Sequence, residues 1–491
     1  MDRPEEYNIR IKKAEALEKT GVSLYPSGCG RTHMCAAART IIEQEGRSVP
    51  VTVAGRIRQI RKHGGSTFAR LEDESGDIQL YLKKDAIGDE RYARFLDDVD
   101  LGDILEAAGE LFVTKTGESS VLVYSYAILA KALLPLPDQW HGLCDVEQRY
   151  RHRELDLIAN EDVRRRFVVR SKLVSALRRF LDDRDFLEVE TPILQSIPGG
   201  ASARPFMTHH NALDVDMYLR IAPELYLKRL IIGGFERLYE IGRTFRNEGI
   251  DFAHSPEFSM IELYWAYVPD RDLYIRFLEE LLRYGIREAI GTLVVVGEEH
   301  TIDFGSQWPQ ITFRDAVHQE TGIDIDVLKN AQDVLDIVKK VKLSIDFSNC
   351  VGLGEHIDQL FKKTARQRIV QPTWILDYPI ELKPLTRACD DDPTKSASAQ
   401  LIVEGVEIVN AYYHELNDPR EQRTRFMQQE VLRAQGSESA QFVDEDFLFA
   451  LEHGMPPTSG MGFGIDRLVL FLTGQKNIKE VILFPTLRPK E

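Results

Sequence analysis

The sequence predicts an α+β protein, in which a small N-terminal β-barrel precedes a larger domain of antiparallel strands flanked by helices. Three observations lead to this prediction. Short strand-like segments separated by glycines follow one another in the first part of the chain. A long amphipathic helix then precedes a strand that ends at a proline. Further along, two strands flank a turn that carries an arginine and a glutamate two positions apart.

The barrel is predicted from segments that alternate apolar and polar residues, as half-buried strands do. Gly76, Gly102 and Gly117 separate them. Short strands at this spacing are typical of an OB-type barrel, a fold that often binds nucleic acid. The five segments are Val51–Ile57, Phe68–Leu71, Asp77–Leu82, Asp103–Glu106 and Val121–Tyr124.

The domain organisation follows from changes in composition along the chain. Residues 1–48 read as a charged helical extension, 49–137 as the barrel and 138–491 as the larger domain. The proline-marked segment Leu133–Pro137 is the expected linker. In the larger domain, Asp162–Asp183 predicts one long amphipathic helix and Phe186–Pro192 a strand ending at proline.

The net charge of −16 argues against a general nucleic-acid binder. The segment between Arg47 and Arg70 nevertheless contains no acidic residue and carries Arg56, Arg58, Arg61 and Lys62. Such a basic stripe can follow a phosphate backbone, although a solvated charged face is the alternative. The chain has no apolar run of membrane-spanning length and no apolar leader, so we expect a cytoplasmic protein without a membrane partner.

The five cysteines are odd in number and scattered, which favours reduced thiols over a disulfide framework. Cys29, His33 and Cys35 are close enough in sequence to raise the question of a zinc site. Their spacing fits no standard zinc motif and no fourth ligand lies nearby. We therefore expect packed or exposed thiols in this segment.

Two segments carry the most specific chemistry. The first holds Arg246 and Glu248 in a turn between two strand-like runs, followed by His254 and Phe258. An arginine, a carboxylate and an aromatic ring can hold a phosphate, a base edge and a purine face. The second is Gly460–Arg467, in which three alternating glycines leave room for a ligand before an arginine. Neither segment has the pattern of a P-loop.

These two segments resemble motifs 2 and 3 of the class II aminoacyl-tRNA synthetases. Arg220–Arg229 and Pro198–Phe206 resemble the bacterial-type lysyl-tRNA synthetases of that class. The resemblance runs from about Val51 to the C-terminus, with a poorly matching stretch between roughly Arg271 and Thr373. It implies an anticodon-binding OB barrel and an antiparallel catalytic sheet. The helix and strand near residues 162–192 resemble motif 1, which implies a homodimer.

The resemblance also implies the activity. L-lysine and ATP would give lysyl-adenylate, and the lysyl group would then pass to the 3′ end of a lysine tRNA. The reaction needs no protein nucleophile, because the lysine carboxylate itself attacks the α-phosphate. Positioning and charge stabilisation would be the tasks of the protein. Mg²⁺ would neutralise the triphosphate.

Site residues follow from the resemblance position by position. The residues expected to support catalysis are Arg246, Glu248 and Arg467. Those expected to bind ATP are Arg246, Glu248, His254, Phe258, Glu407, Gly464 and Arg467. Those expected to bind lysine are Gly200, Glu224, Arg246, Glu262, Tyr264, Asn410, Tyr412, Glu415 and Gly462. Anticodon bases would contact Phe68, Gln79 and Glu118, and the metal ligands would be Glu407 and, less securely, Gln400.

Taken singly, these residues have plainer interpretations. Each carboxylate could be a surface or capping acid of a helix, and Phe68 could belong to the barrel core. A buried cationic substrate side chain, however, needs carboxylate partners, which favours lysine over the related amino acids aspartate and asparagine.

The chain departs from the family pattern at three places. Gln400 stands seven residues before Glu407, where the family often has a second carboxylate. One additional residue lies between Asn410 and Glu415, so either Tyr412 or Tyr413 could line the pocket. Lys383 stands where a small hydroxyl residue is common.

Two alternatives to a tRNA ligase remain at this point. A paralogue could transfer lysine to a protein, although such forms typically lack the anticodon barrel. A catalytically altered chain could also persist as a tRNA-binding regulator, which the intact Arg246, Glu248, Phe258 and Arg467 disfavour.

Overall fold

The computed structural model describes residues 5–136, 143–252, 254–437 and 440–489. It divides into two compact units, Met1–Cys144 and Asp145–Glu491. The expected domain boundary at residues 137 and 138 lies outside the described residues, as does the last residue of the expected linker.

The first unit is built on a closed five-stranded barrel, which confirms the predicted OB-type fold. Its strands are β1 (Pro50–His63), β2 (Ser66–Asp73), β3 (Gly76–Lys83), β4 (Ile104–Val113) and β5 (Ser119–Ala130). Their order around the barrel is β1-β2-β3-β5-β4. Each predicted segment lies in one of these strands, except that Asp103 directly precedes β4. Alternating apolar residues such as Val53, Leu71 and Leu80 fill the barrel interior.

The N-terminal residues pack onto this barrel. Leu17, Cys35 and Ala38 belong to the same buried cluster as the barrel strands. The Cys35 thiol is fully buried, and its Sγ lies 3.8 Å from the carbonyl oxygen of Leu71. The helices of this unit are α1 (Glu5–Lys19), α2 (Cys35–Thr40), α3 (Lys84–Ile87) and α4 (Asp89–Asp98), with a π-helical turn at Ile41–Glu45.

The second unit is built on an eight-stranded sheet. Its inner strands are antiparallel and only the two edge pairs are parallel, which confirms the predicted antiparallel sheet. The strands of this unit are β6 (Leu187–Glu188), β7 (Leu194–Gln195), β8 (Met207–His210), β9 (Val215–Leu219), β10 (Arg237–Phe245), β11 (Glu257–Ala266), β12 (Val294–Val296), β13 (Thr301–Asp303), β14 (Gln310–Thr312), β15 (Thr373–Leu376), β16 (Ser398–Val403), β17 (Val406–Tyr412) and β18 (Thr458–Gly464). The order in the large sheet is β14-β15-β16-β17-β18-β11-β10-β6.

Helices cover this sheet. The predicted helix at 162–183 is present, and its buried residues Leu173 and Leu177 share the main core with Leu281 and Ile286. A second cluster forms around Phe313, beside the far edge of the sheet. The helices are α5 (Val146–Arg151), α6 (Arg153–Ala159), α7 (Glu161–Asp182), α8 (Glu224–Ile232), α9 (Arg271–Ile290), α10 (Phe313–Thr321), α11 (Ala331–Lys340), α12 (Gly352–Lys363), α13 (Pro419–Ala434), α14 (Glu445–Leu451) and α15 (Ile465–Leu472).

The strand predicted at 186–192 is shorter than expected. Only Leu187–Glu188 pairs with β10. Thr191 leaves the sheet because its backbone N–H and hydroxyl both donate to the Glu240 carboxylate, at 3.2 and 2.6 Å. Within the described ranges, none of the helices has the length and apolarity that a membrane span requires.

Candidate active site

One row of side chains crosses the middle of the large sheet. Strand pairing aligns Gln400 with Asn410, Asn410 with Gly462, Gly462 with Glu262, and Glu262 with Glu240. Paired positions on neighbouring strands share one face of a sheet. The first four of these residues line a cleft with a volume of about 1500 Å³. The cleft also contains the other residues expected to bind ATP or lysine, namely Gly200, Glu224, Arg246, Glu248, His254, Phe258, Tyr264, Glu407, Tyr412, Gly464 and Arg467, but not Glu415.

The alternating glycines of β18 make room for the side chains of this row. A Cβ atom on Gly460 would stand 2.5 Å from the ring of Tyr264. A Cβ atom on Gly462 would stand 3.2 Å from Cγ of Glu262. Both distances are too short for ordinary packing, so these glycines let Tyr264 and Glu262 lie against the strand.

A bulge in β17 places Glu407 on the same face as this row. Leu401 pairs with Val409, whereas the next residue, Ile402, pairs with Glu407. Ile408 is therefore the additional residue of a β-bulge. Without it, Glu407 and Asn410 would point to opposite faces of the sheet. No sequence pattern indicated this bulge, because it depends on the pairing with β16.

The two predicted arginines approach the cleft from different elements. The guanidinium of Arg246 lies 5.1 Å from the ring centroid of Phe258. Arg467 donates to the backbone carbonyl of Glu407 at 3.1 Å and, through Nη2, to Nε2 of His254 at 3.2 Å. Glu248 is exposed at the turn that follows β10. The predicted ATP-binding residues thus lie around one end of the cleft.

A buried link that the sequence analysis missed holds the start of α15 in place. Asp466 forms an ion pair with Arg170 of α7 and accepts from the backbone N–H of Ser259 at 2.9 Å. Arg170 also donates to the Ser259 hydroxyl at 2.8 Å. Since Asp466 directly precedes Arg467, this network fixes the backbone that carries the arginine. The aspartate beside Arg467 was the available signal, but its partner on α7 could not be read from sequence.

Next to Glu224, which lines the cleft, a buried lysine lies between two carboxylates. Nζ of Lys228 lies 2.7 Å from Glu224 and 2.7 Å from Glu415, and all three residues are buried. Burial alone would lower the pKa of Lys228, but the two carboxylates outweigh it and raise that pKa. Burial raises the pKa of Glu415 to about 8, although Lys228 opposes this shift. Lys228 was not predicted as a site residue, although it lies one helical turn from Glu224.

A third carboxylate, Glu262, completes this wall. Burial, and then the neighbouring Glu224, raise the pKa of Glu262 well above its usual range. The hydroxyl of Tyr264 donates to Glu262 at 3.4 Å. Gly200 lies beside Glu224, since a Cβ atom on Gly200 would stand 2.9 Å from Cβ of Glu224. The pocket is therefore lined by carboxyl groups, which can pair with a cationic ligand.

The additional residue between Asn410 and Glu415 lies in a short loop at Tyr413 and His414, directly after β17. The backbone N–H groups of Tyr413 and His414 both point to the carbonyl of Ala397, at 3.0 and 3.4 Å. Tyr412 lines the cleft, whereas the Tyr413 hydroxyl donates to Asp377 at 2.6 Å on the core side. Glu415 rejoins the sheet through its N–H bond to the carbonyl of Thr458 at 2.9 Å.

The other two departures from the family pattern lie together. Nζ of Lys383 donates to Oδ1 of Asn410 at 2.8 Å, and Oε1 of Gln400 accepts from the Tyr378 hydroxyl at 2.7 Å. The carboxylate near Lys383 and Gln400 is Glu407. Among the residues that the structure describes, no group of three or more His, Cys, Asp or Glu side chains is placed to hold a metal ion. Burial alone would raise the pKa of Glu407, but Arg467 and Lys383 outweigh it and lower that pKa.

The predicted anticodon residues lie on the outer surface of the barrel. Phe68 is half-buried and stacks on Tyr81 with ring centroids 4.8 Å apart, and Tyr81 is followed by Phe112 at 5.7 Å. Gln79 donates to the Ser120 hydroxyl at 2.9 Å, and the Glu118 carboxylate lies 3.6 Å from Arg70. The row formed by Phe68, Tyr81 and Phe112 is called the aromatic row below. Tyr81 and Phe112 were not predicted, because their pairing with Phe68 depends on the barrel.

Comparison with known proteins decides the family. The family model of class II tRNA synthetases (D, K and N) matches residues 145–488, and that of the OB-fold nucleic acid binding domain matches residues 51–129. A lysine–tRNA ligase of Moorella thermoacetica is 46% identical over 98% of both chains. Those of Roseiflexus sp. and Pelotomaculum thermopropionicum are 47% and 44% identical over 100% of this chain, and over 100% and 96% of their own.

The chain belongs to the lysine–tRNA ligase family of class II tRNA synthetases. The predicted resemblance and enzyme class are thereby confirmed. The matches extend over the barrel as well as the catalytic unit. Neither the protein-modifying paralogue nor the inactive regulator is therefore favoured.

The carboxylate pair around Lys228 generates a prediction about stability. Lys228→Met should lower the free energy of unfolding by about 3–5 kcal/mol near pH 9, because Glu224 and Glu415 would be buried without a counter-charge. The deficit should shrink as the pH falls towards about 6, since protonation then removes the unpaired negative charge. Urea unfolding at several pH values measures it.

Lys172→Met, at an exposed position of α7, is the matched control and should change little. A deficit for Lys228→Met that does not vary with pH would contradict the assigned charge network.

Proposed function

We propose that the protein ligates L-lysine to a lysine tRNA in two steps. The lysine carboxylate attacks the α-phosphate of ATP, which forms lysyl-adenylate and releases pyrophosphate. A terminal hydroxyl of the tRNA then attacks the lysyl carbonyl, and AMP leaves. The observation that carries the proposal is the buried carboxylate cluster of Glu224, Glu262 and Glu415, of which Glu224 and Glu262 line the cleft together with Arg246 and Arg467.

In this proposal Arg246 bridges the α-phosphate and the lysine carboxylate, since a guanidinium can bind both at once. His254 and Arg467, which already contact each other, approach the outer phosphates. Glu248 accepts from the adenine amino group. Phe258 and Arg467 cover the two faces of adenine, and Gly464 leaves space for the nucleotide.

Lysine occupies the deep end of the cleft. Glu224 and the backbone of Gly200 hold the α-amino group, and Arg246 holds the carboxylate. Glu415 and Tyr264 hold the distant ammonium group, whose charge is matched by the carboxylate. Tyr412 lines the aliphatic stem. The remaining polar wall consists of Glu262, Asn410 and Gly462.

Glu407 would hold the Mg²⁺ that accompanies ATP as part of the substrate, and this ion would neutralise part of the triphosphate charge. The lowered pKa of Glu407 supports this role, because a hard cation prefers an ionised carboxylate. Gln400 fits a metal ligand less well, since its amide oxygen already accepts a hydrogen bond from Tyr378.

The barrel binds the anticodon of the tRNA. The aromatic row offers faces on which unpaired bases can stack, and Gln79 and Glu118 lie beside it to hydrogen-bond base edges. The basic stripe on β1 supplies charge for the phosphate backbone.

The protein acts as a cytoplasmic homodimer. Support comes from apolar side chains exposed near α7 and β6: Val168, Leu187, Ile193 and Leu194 are between 44% and 50% accessible. Apolar patches of this kind on a single chain often mark subunit contacts.

The activation step can be tested by exchange of labelled pyrophosphate into ATP with each of the twenty amino acids. Exchange should occur with lysine and be reduced about 10²–10³-fold by Arg246→Ala, because a preorganised charge at the α-phosphate is lost. Arg243→Ala alters an exposed arginine of the preceding strand, β10, and should retain exchange. Exchange with another amino acid would refute lysine specificity, and no exchange with any would refute catalysis.

The anticodon assignment is tested separately from activation. Phe68→Ala should weaken binding of lysine tRNA by about 1–3 kcal/mol through lost base stacking, and should leave pyrophosphate exchange unchanged. Fluorescence anisotropy with labelled tRNA measures the affinity. Tyr124→Ala removes another exposed barrel aromatic and serves as the control. Equal affinities of the two variants would rule out the aromatic row as the stacking surface.

Sedimentation velocity tests the dimer. Leu187→Glu should convert a dimer into a monomer, because a buried unpaired carboxylate at the interface costs several kcal/mol. Val296→Glu alters a side chain that is exposed elsewhere and should remain dimeric. A wild-type chain that sediments as a monomer would contradict the proposal.

A further inference from the structure

Three lysines are buried in the described part of the chain, and one of them differs from the others. Lys131, Lys228 and Lys383 are 4%, 0% and 8% accessible. Lys131 lies within 2.7 Å of two aspartates, and Lys228 within 2.7 Å of two glutamates. For Lys383, no ion pair with another described residue is found. Burial lowers the pKa of Lys383 even though Glu407 opposes this shift, so the ammonium group lacks a close counter-charge, which a bound anion would supply.

The surroundings of Lys383 direct its ammonium group into the cleft. Nζ donates to Oδ1 of Asn410 and lies 5.0 and 5.6 Å from the ring centroids of Tyr378 and Tyr412. An ammonium group has three N–H donors. One is used by Asn410, and the others remain available to a ligand in the cleft that Lys383 lines together with Arg246.

The same corner is poorly suited to a second metal ion held by the protein. Position 400 is an amide whose oxygen accepts from Tyr378 at 2.7 Å, and whose nitrogen faces Oδ1 of Asn410 at 3.5 Å. Of positions 400 and 407, only Glu407 therefore offers a carboxylate. The positive charge of Lys383 would repel a divalent ion beside it. The residues at 383 and 400 therefore do not fit an ion bridging positions 400 and 407.

We propose that the ammonium group of Lys383 binds the triphosphate of ATP, and that it replaces the charge of a second divalent ion in the activation step. Lysine is a common phosphate ligand because it presents a compact charge with several donors. This proposal rests on the use of ATP proposed above. It makes Lys383 a catalytic residue, and it explains why an amide suffices at position 400.

Nucleotide binding without divalent ions tests this role. Titration calorimetry with α,β-methylene-ATP would be run in EDTA and in excess Mg²⁺. The wild type should bind in EDTA, and Lys383→Met should weaken this binding at least about tenfold, as expected for a lost charge-assisted hydrogen bond. Lys383→Arg should bind within a few-fold of the wild type. Lys340→Met, an exposed lysine of α11, should behave as the wild type.

Counting bound metal ions gives a second readout that does not depend on activity. Electron paramagnetic resonance would measure Mn²⁺ bound to the complex with lysine and α,β-methylene-ATP. The double variant Lys383→Ser/Gln400→Glu restores a second carboxylate and removes the ammonium group, so it should bind one more Mn²⁺ ion than the wild type. It should also lose nucleotide binding in EDTA.

Equal Mn²⁺ numbers in the wild type and the double variant would overturn the proposal, as would unchanged binding of the nucleotide by Lys383→Met in EDTA. If Lys383→Met fails to fold, as judged by thermal unfolding, the arginine and double variants still decide between the two outcomes. A wild type that binds no nucleotide even with Mg²⁺ would instead refute the proposed function itself.

Discussion

The active-site cleft depends on one constraint: its ionisable side chains are buried away from solvent and must find partners within the protein. Glu224 and Glu415 are buried on either side of Lys228, whose ammonium group lies 2.7 Å from each carboxyl group. These contacts join helix α8 to the segment after β17. The cost of desolvating these groups is offset by the short contacts between them.

The sheet supplies the second requirement, which is a row of functional groups at regular spacing. Glycines at alternate positions of β18 have no side chains and so leave space in the cleft. The bulge at Ile408 turns the Glu407 side chain towards this space. Arg170 and Asp466 then connect the start of α15 to α7. The relative positions of the cleft side chains therefore depend on the register of the strands. Backbone hydrogen bonds between strands bring together side chains that are far apart in sequence.

Local sequence patterns were sufficient to predict the barrel strands and the long helix α7. The barrel strands alternate in polarity and α7 has a clear apolar face, so both were found. The ends of α7 were predicted to within one residue, whereas β1, β4 and β5 extend six or seven residues beyond the predicted segments. The strand after α7 was overestimated, because the hydrogen bonds from Thr191 to Glu240 that end it cross more than forty residues of sequence. For the same reason Lys228, Arg170 and the Ile408 bulge were missed: each acquires its role from a partner on another element. Resemblance assigned roles to residues such as Glu415, whose position in the pocket no local pattern could indicate.

The loop at Tyr413 and His414 has a consequence for how related chains are compared. Both backbone N–H groups are directed at one carbonyl, so the additional residue lies in a short loop between β17 and Glu415. An alignment that places the corresponding gap before Tyr412 would exchange a cleft aromatic for a core aromatic. The position of an alignment gap in this segment should therefore be chosen from the hydrogen-bond partner of each residue. Pocket residues of related chains should be compared only after the gap has been placed in this way.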